Sequence, residues 1–230
     1  MKFGVITFPG SNCDQDMVDV LEREFQSTVV RLWHKDHDLQ QCDMVILPGG
    51  FSYGDYLRSG AIARLSPIMQ EVIRFADKGG YVMGICNGFQ ILTESGLLPG
   101  ALLHNDHQKF NCKNVFLSVQ TTQSLLTSQC KKDAVLNIPI AHGEGRFYAD
   151  ADTIQMINDN DQVLFRYCNA AGELTADANP NGSVQHIAGI TNKNRNVFGM
   201  MPHPERAADS HLHNTDGKII FQSILSSVLA

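Results

Sequence analysis

Apolar residues along the chain gather into short β-branched or aliphatic runs, separated by segments in which they recur every three or four positions. This alternation is expected of an α/β protein. Phe3–Phe8 reads as a first strand, followed by a Pro9-Gly10-Ser11-Asn12 turn. A helix is predicted near 14–26, with Met17, Val20, Leu21 and Phe25 on one side and Asn12 or Asp14 as its cap. Thr28–Trp33 and Met44–Leu47 read as strands and Ile62–Phe75 as a helix. Tyr81–Ile85 has the character of a fully buried strand, with a helix directly after it that ends near Gly96. Further strand-like runs are Val115–Val119, Ala134–Ile140, Gln162–Tyr167, His186–Thr191 and Val197–Met201, and a last helix is predicted through Ile219–Leu229. No repeat, low-complexity tract or Pro/Gly/Ser linker divides the chain. The economical architecture is one domain over residues 1–230, with an open, mainly parallel sheet and helices on both faces.

Composition narrows the function classes. With 43% hydrophobic and 18% charged residues, the chain has material for a sizeable core and too little charge for disorder. A net charge of -6 with no basic run argues against a nucleic-acid partner. No uncharged apolar run is long enough for a membrane span. The apolar stretch after Lys2 is broken at Pro9, precedes Asp14 and Asp16 and lacks a small-residue cleavage site, so it does not read as a signal peptide, and a cytoplasmic protein is expected. Six cysteines at 13, 42, 86, 112, 130 and 168 form no close pair, which disfavours zinc ribbons and redox dithiols and suits a reducing compartment.

The most informative stretch is Gly84-Ile85-Cys86-Asn87-Gly88-Phe89-Gln90, a G-x-C-x-G pattern between an apolar strand and a helix. It is the thiol counterpart of the nucleophile elbow, where a sharp turn leaves no room for bulky residues two positions either side. A helix N-terminus aimed at Cys86 favours thiolate and leaves backbone N–H groups free for an oxyanion. Cys86 is expected to face the surface on a small turn. Cys13 is the rival, since it too precedes a helix, but it lacks the paired glycines. In Met200-Met201-Pro202-His203-Pro204-Glu205-Arg206 the prolines stiffen a strand-end loop that presents His203 and Glu205, an acid-base residue and its orienting carboxylate. Pro48-Gly49-Gly50 also follows a strand, and its glycines allow close backbone approach to a ligand, with Gly50 N–H as a second oxyanion donor. His104-x-x-His107 and His211-x-His213 lack an acidic or thiol partner at metal-binding spacing and read as surface histidines, so no metal is expected. No phosphate-cradling glycine motif is present.

Together Cys86, His203, Glu205 and the P-G-G segment resemble the class I, triad-type glutamine amidotransferases. Pro48–Ala63 (PGGFSYGDYLRSGAIA), Gly84–Leu92 (GICNGFQIL), Ile138–Phe147 (IPIAHGEGRF), Asn179–Ser183 (NPNGS) and Asn196–Arg206 (NVFGMMPHPER) are similar to the glutaminase-subunit family of phosphoribosylformylglycinamidine synthase, and Phe8–Asp14 (FPGSNCD) carries the likeness to the N-terminus. The resemblance implies a flavodoxin-like fold. It implies that Cys86 attacks the glutamine carboxamide, that Gly50 and Asn87 N–H hold the oxyanion, and that Gln90 helps bind substrate. It further implies that His203 moves the proton and Glu205 orients it. The His142-Gly143-Glu144-Gly145 loop would border the pocket, with His142 a lower-ranked competitor of His203. No role is assigned to His104–Cys112.

A domain of this kind leaves no residues for activating a second substrate. The resemblance therefore implies no cofactor in this chain, ATP and Mg on a separate large synthetase subunit, and a third small subunit in the same complex. The rivals are a free-standing glutamyl hydrolase with the same triad, a binding or regulatory module that has kept the fold without activity, against which the intact Cys, His and Glu count, and a cysteine-elbow protein of the stress-chaperone or peptidase type. The P-H-P-E segment counts against the last.

Overall fold

The computed structural model describes residues 1–228, with side chains through residue 226; Leu229, the predicted end of the last helix, lies outside them. In chain order the elements are β1 (Lys2–Thr7), α1 (Asp14–Asp19), β2 (Thr28–Trp33), β3 (Met44–Leu47), α2 (Pro67–Asp77), β4 (Tyr81–Ile85), α3 (Asn87–Glu94), β5 (Ala101–Leu103) and β6 (Asn111–Val119). There follow β7 (Val135–His142), β8 (Arg146–Tyr148), α4 (Ala151–Asp159), β9 (Val163–Cys168), β10 (Ile187–Thr191), β11 (Val197–Met200) and α5 (Lys218–Val228).

Nine strands form one sheet in the order β2-β1-β3-β4-β11-β10-β9-β6-β7, and β5 and β8 form a separate antiparallel pair. The pairs β2–β1, β1–β3, β3–β4 and β4–β11 are parallel, and the four pairs from β11 to β7 are antiparallel. Followed across the sheet, only β10 and β6 run against the rest, so the sheet is mainly parallel, as the sequence implied. β1 connects leftward to β2 while β3 connects rightward to β4. Right-handed crossovers then put α1 and α2 on opposite faces, and the strand order reverses beside β3.

Hydrophobic burial accounts for this arrangement. All four β3 residues and Val82–Ile85 of β4 are buried, as central strands covered on both faces must be. α2 buries Ile68, Met69, Val72 and Ala76 along one stripe and leaves Glu71 and Arg74 outside to pair with each other at 2.6 Å. α3 is buried along Asn87–Thr93, which makes it the helix most tightly bound to the core.

Three local expectations are corrected. The residue before α1 is Cys13, whose side chain caps nothing; Asp14 instead accepts from Thr7 Oγ1 at 2.9 Å, and Asn12 Oδ1 accepts from the Cys13 thiol at 3.2 Å. The continuous helix predicted over 62–75 is interrupted at Ser66, whose extended backbone precedes Pro67, because a residue before proline avoids the helical region. α1 does not run to 26 as an α-helix but continues as a π-helical turn, Val20–Glu24.

Candidate active site

The loops that matter leave the C-terminal ends of neighbouring parallel strands: Asn12 and Cys13 after β1, Gly49 and Gly50 after β3, Cys86 after β4, and His203 after β11. That edge is where open α/β sheets build their sites. The antiparallel half curls back over it. Although β7 ends the sheet, Pro139 O accepts His203 N–H at 2.8 Å, and the Cys86 thiol lies 3.7 Å from Ala141 O.

Cys86 occupies a sharp turn with φ 51° and ψ -107°, a conformation strained for any residue with a Cβ. The flanking glycines are there for lack of space. A Cβ on Gly84 would stand 2.5 Å from Gly88 O, and one on Gly88 would stand 1.9 Å from Leu47 O. The elbow is therefore as expected, but Cys86 is only 5% exposed, not surface-facing, because the β7 end covers it. Cys86 N–H is bound to Met200 O at 2.8 Å, which fixes the turn to β11. Asn87 is the first residue of α3, so its backbone N–H has no partner within the helix.

His203 and Glu205 form a buried pair, with Nδ1 and Oε1 2.6 Å apart. Burial alone would lower the proton affinity of the imidazole. The Glu205 carboxylate and the Cys86 sulfur outweigh it and hold His203 above the ordinary histidine value. Its Nε2 is buried with no hydrogen bond among the described residues and so is free for a reacting group. A Cβ on Gly49 would meet His203 Cε1 at 2.6 Å and Cys86 Cβ at 3.4 Å, which places the first glycine of the P-G-G turn in the wedge between them. Gly50 N–H donates to nothing among the described residues.

A cleft of about 140 Å³ opens on Cys86, lined among others by Gly50, Asp55, Gln90, His142 and Glu144. Gln90 faces it as expected, with its amide held on both sides: Nε2 donates to Glu144 O at 2.6 Å and Oε1 accepts from Asn87 Nδ2 at 2.9 Å. A second cleft of about 150 Å³, lined by Cys13, His203 and Arg206, abuts the first through Gly50, Phe51, Phe110 and Ala141. Two acidic groups carried no assigned role in the sequence reading. Asp55 is pushed up to about 6, chiefly by burial and further by Glu144, and Glu144 is tied to Ser59 N–H (3.3 Å) and His104 Nε2 (3.4 Å). Both lie in segments already singled out, but nothing in their spacing pairs residues 89 positions apart.

The surroundings of the rival thiol disfavour its thiolate. Burial, with Glu205 adding to it, pushes Cys13 up to about 12, although Arg206 Nη2 lies 3.1 Å from its sulfur. Cys13, His203 and Glu205 are the one grouping among the described residues that could hold a metal ion. His203 and Glu205 are engaged with each other, however, and the Arg206 guanidinium already brings a positive charge to Cys13, so the geometry fits a triad better than a metal centre. His107 Nε2 lies 3.1 Å from Pro180 O, a structural contact. His142, 3% exposed, is pushed down to about 3 by burial and by His203, so it stays neutral.

Known proteins resemble this chain along almost its whole length. Residues 1–222 match the model of the CobB/CobQ-like glutamine amidotransferase domain. The chain is 55% identical over 228 residues to phosphoribosylformylglycinamidine synthase subunit PurQ of Koribacter versatilis, covering 99% of both chains. It is 56% identical to the protein of the same name from Nostoc sp., covering 100% of this chain and 99% of that one. A chain in the structure of PurLQS from Thermotoga maritima superposes with a TM-score of 0.86 at 42% identity, over 99% of this chain and 98% of that chain. A glutamine amidotransferase from Thermotoga maritima, 14% identical with a TM-score of 0.59 over 98% of this chain and 90% of that one, shares the fold. With a family model spanning nearly its whole length and full-length relatives above half identity, this chain belongs to the glutamine amidotransferases, in the family of phosphoribosylformylglycinamidine synthase subunit PurQ.

Proposed function

We propose that residues 1–230 form one glutamine amidotransferase domain in which Cys86, His203 and Glu205 hydrolyse glutamine. The protein is the glutaminase subunit of phosphoribosylformylglycinamidine synthase in purine biosynthesis, a partner of PurL and PurS. The observation that carries the site reading is the strained, glycine-flanked Cys86 beside a buried His203–Glu205 pair.

The chemistry follows from the groups in place. Glutamine enters the Cys86 cleft, and the thiolate adds to its side-chain carbonyl. Gly50 and Asn87 N–H groups, free of acceptors among the described residues, receive the oxyanion. His203, its proton affinity raised by Glu205, protonates the departing ammonia and then activates water against the glutamyl thioester. Ammonia passes to the synthetase partner. We assign ATP and Mg to that partner, and none to this chain, because this sequence carries no phosphate-cradling motif. No helix among the described residues is long and apolar enough to cross a membrane, and we place the enzyme in the cytoplasm with its glutamine supply.

Asp55 and Glu144 give the cleft a negative wall suited to the α-ammonium of glutamine. Because the Asp55 proton is held up to about 6, the carboxylate forms only above that pH, and ammonium binding favours it. The KM for glutamine should therefore rise several-fold as pH falls from about 7 to about 5, and Asp55→Asn should flatten that rise. A wild-type KM independent of pH, or an equal slope in Asp55→Asn, would remove Asp55 from this role.

The 51–60 loop next to Gly50 is irregular, with positive φ at Tyr53, Asp55 and Leu57, and it exposes Phe51, Tyr56 and Leu57. We propose that the liganded synthetase partner packs on this apolar loop and directs Gly50 N–H toward the oxyanion. The test is the steady-state glutaminase rate of the chain alone and with saturating partner, substrate and ATP. A rise of ~10²–10³-fold is expected, the worth of one oxyanion donor. Equal rates would favour a free-standing hydrolase.

A further inference from the structure

The triad and its oxyanion donors leave one buried group of the cleft without a task. Asn105 is fully buried in the 104–112 segment, and its amide orientation is set by the backbone: Oδ1 accepts Gly145 N–H at 3.1 Å, while Nδ2 donates to Lys109 O at 2.8 Å and His142 O at 3.0 Å. The same Oδ1 lies 3.2 Å from His142 Nδ1, so that nitrogen carries the hydrogen and Nε2 is left as a bare acceptor. Nε2 is buried with no hydrogen-bond partner among the described residues, a costly condition for a polar atom unless a ligand supplies the donor. Burial keeps the ring unprotonated, so it cannot escape that cost by charging. Gly145 is glycine for this ring: a Cβ there would lie 2.3 Å from His142 Cε1.

His142 lines the cleft that opens on Cys86, and its neighbour Ala141 presents a carbonyl to the Cys86 thiol. At rest the thiol occupies that carbonyl; when the sulfur gives up its proton, the carbonyl is freed. The cleft then offers, apart from the oxyanion donors Gly50 and Asn87 N–H, two acceptors beside the nucleophile. That pattern complements the two N–H groups of a carboxamide and opposes a carboxylate or an ester oxygen. Resting on the glutaminase reading, we infer that His142 Nε2 accepts an N–H of the substrate carboxamide, with Asn105 fixing the tautomer, so that this pair selects glutamine over its acid and ester analogues.

The test compares kcat/KM for L-glutamine and for the γ-methyl ester of L-glutamate, in the complex with the synthetase partner. Both substrates need the triad, and only the first has N–H donors. His142→Ala should lower the amide-over-ester preference about 10-fold, the usual cost of leaving a donor unpaired. His142→Phe keeps the ring volume without the acceptor and should do the same, which preserves the test should the alanine variant fail to fold. Asn105→Ala, which frees the tautomer, should erode the preference in the same direction. A preference unchanged in both His142 variants, or equal losses on the two substrates, would overturn the inference in favour of a purely structural histidine. If the wild-type complex hydrolysed neither substrate, the glutaminase reading itself would fall, and this inference with it.

Discussion

Cys86→Ala is expected to lower glutamine hydrolysis by about 10⁴-fold or more, in the free chain and in the complex, while leaving ammonia-dependent synthesis by the complex intact. The size of the loss follows from the absence of a substitute. Among the described thiols, Cys86 alone combines a strained strand-end turn, a helix N-terminus and a cleft that holds Gln90. Cys13 lies nearby, but with its proton held up to about 12 it supplies almost no thiolate near neutral pH. The fold should survive. Gly84 and Gly88 keep the turn open, Cys86 N–H keeps its bond to Met200 O, and only one sulfur is lost. A melting temperature within a few degrees of wild type, beside a silent glutaminase, is the expected pair of results. Residual activity within about tenfold of wild type would place the nucleophile elsewhere.

His203→Ala should cost about 10²-fold or more, because ammonia is a poor leaving group unless it is protonated as it departs. Glu205→Ala should cost less activity, since the imidazole remains, but more stability. Glu205 is buried, so its removal leaves His203 Nδ1–H without an acceptor where water has little access, at about 1–3 kcal/mol. Rates and denaturation midpoints for the two variants check both halves of the expectation. If His142→Ala abolished ester as well as amide hydrolysis while His203→Ala left both unchanged, the two histidines would have to exchange roles.

Much of this was legible in the sequence because the signals were local. G-x-C-x-G marks an elbow within five residues, and P-H-P-E brings the paired His203 and Glu205 within four. The buried strands β3 and β4 announced themselves as unbroken apolar runs. Less visible were the short pieces. β5 and β8 have three residues each, too few for any period, and α4 buries only Ile154 and Ile157, although Asp150 caps it by accepting Thr153 N–H at 2.7 Å. Contacts between distant segments were invisible for a different reason. The link from Asn105 to His142, the approach of Asp55 to Glu144 and the cover of Ala141 over Cys86 arise because the antiparallel half of the sheet curls over the parallel half. No spacing in the chain encodes that curl, so the burial of Cys86 emerged only in three dimensions.

The central claim is that Cys86 is the nucleophile that takes the glutamyl group, and covalent capture tests it most directly. A diazoketone analogue of glutamine, incubated with the complex of this chain and its synthetase partner, delivers an electrophile to whichever thiol attacks the substrate carbonyl. Peptide mass spectrometry should find one adduct, on the peptide that contains Cys86, formed in step with loss of glutaminase activity and slowed by added glutamine. An adduct on Cys13 or another of the six cysteines, or loss of activity with Cys86 unmodified, would contradict the account.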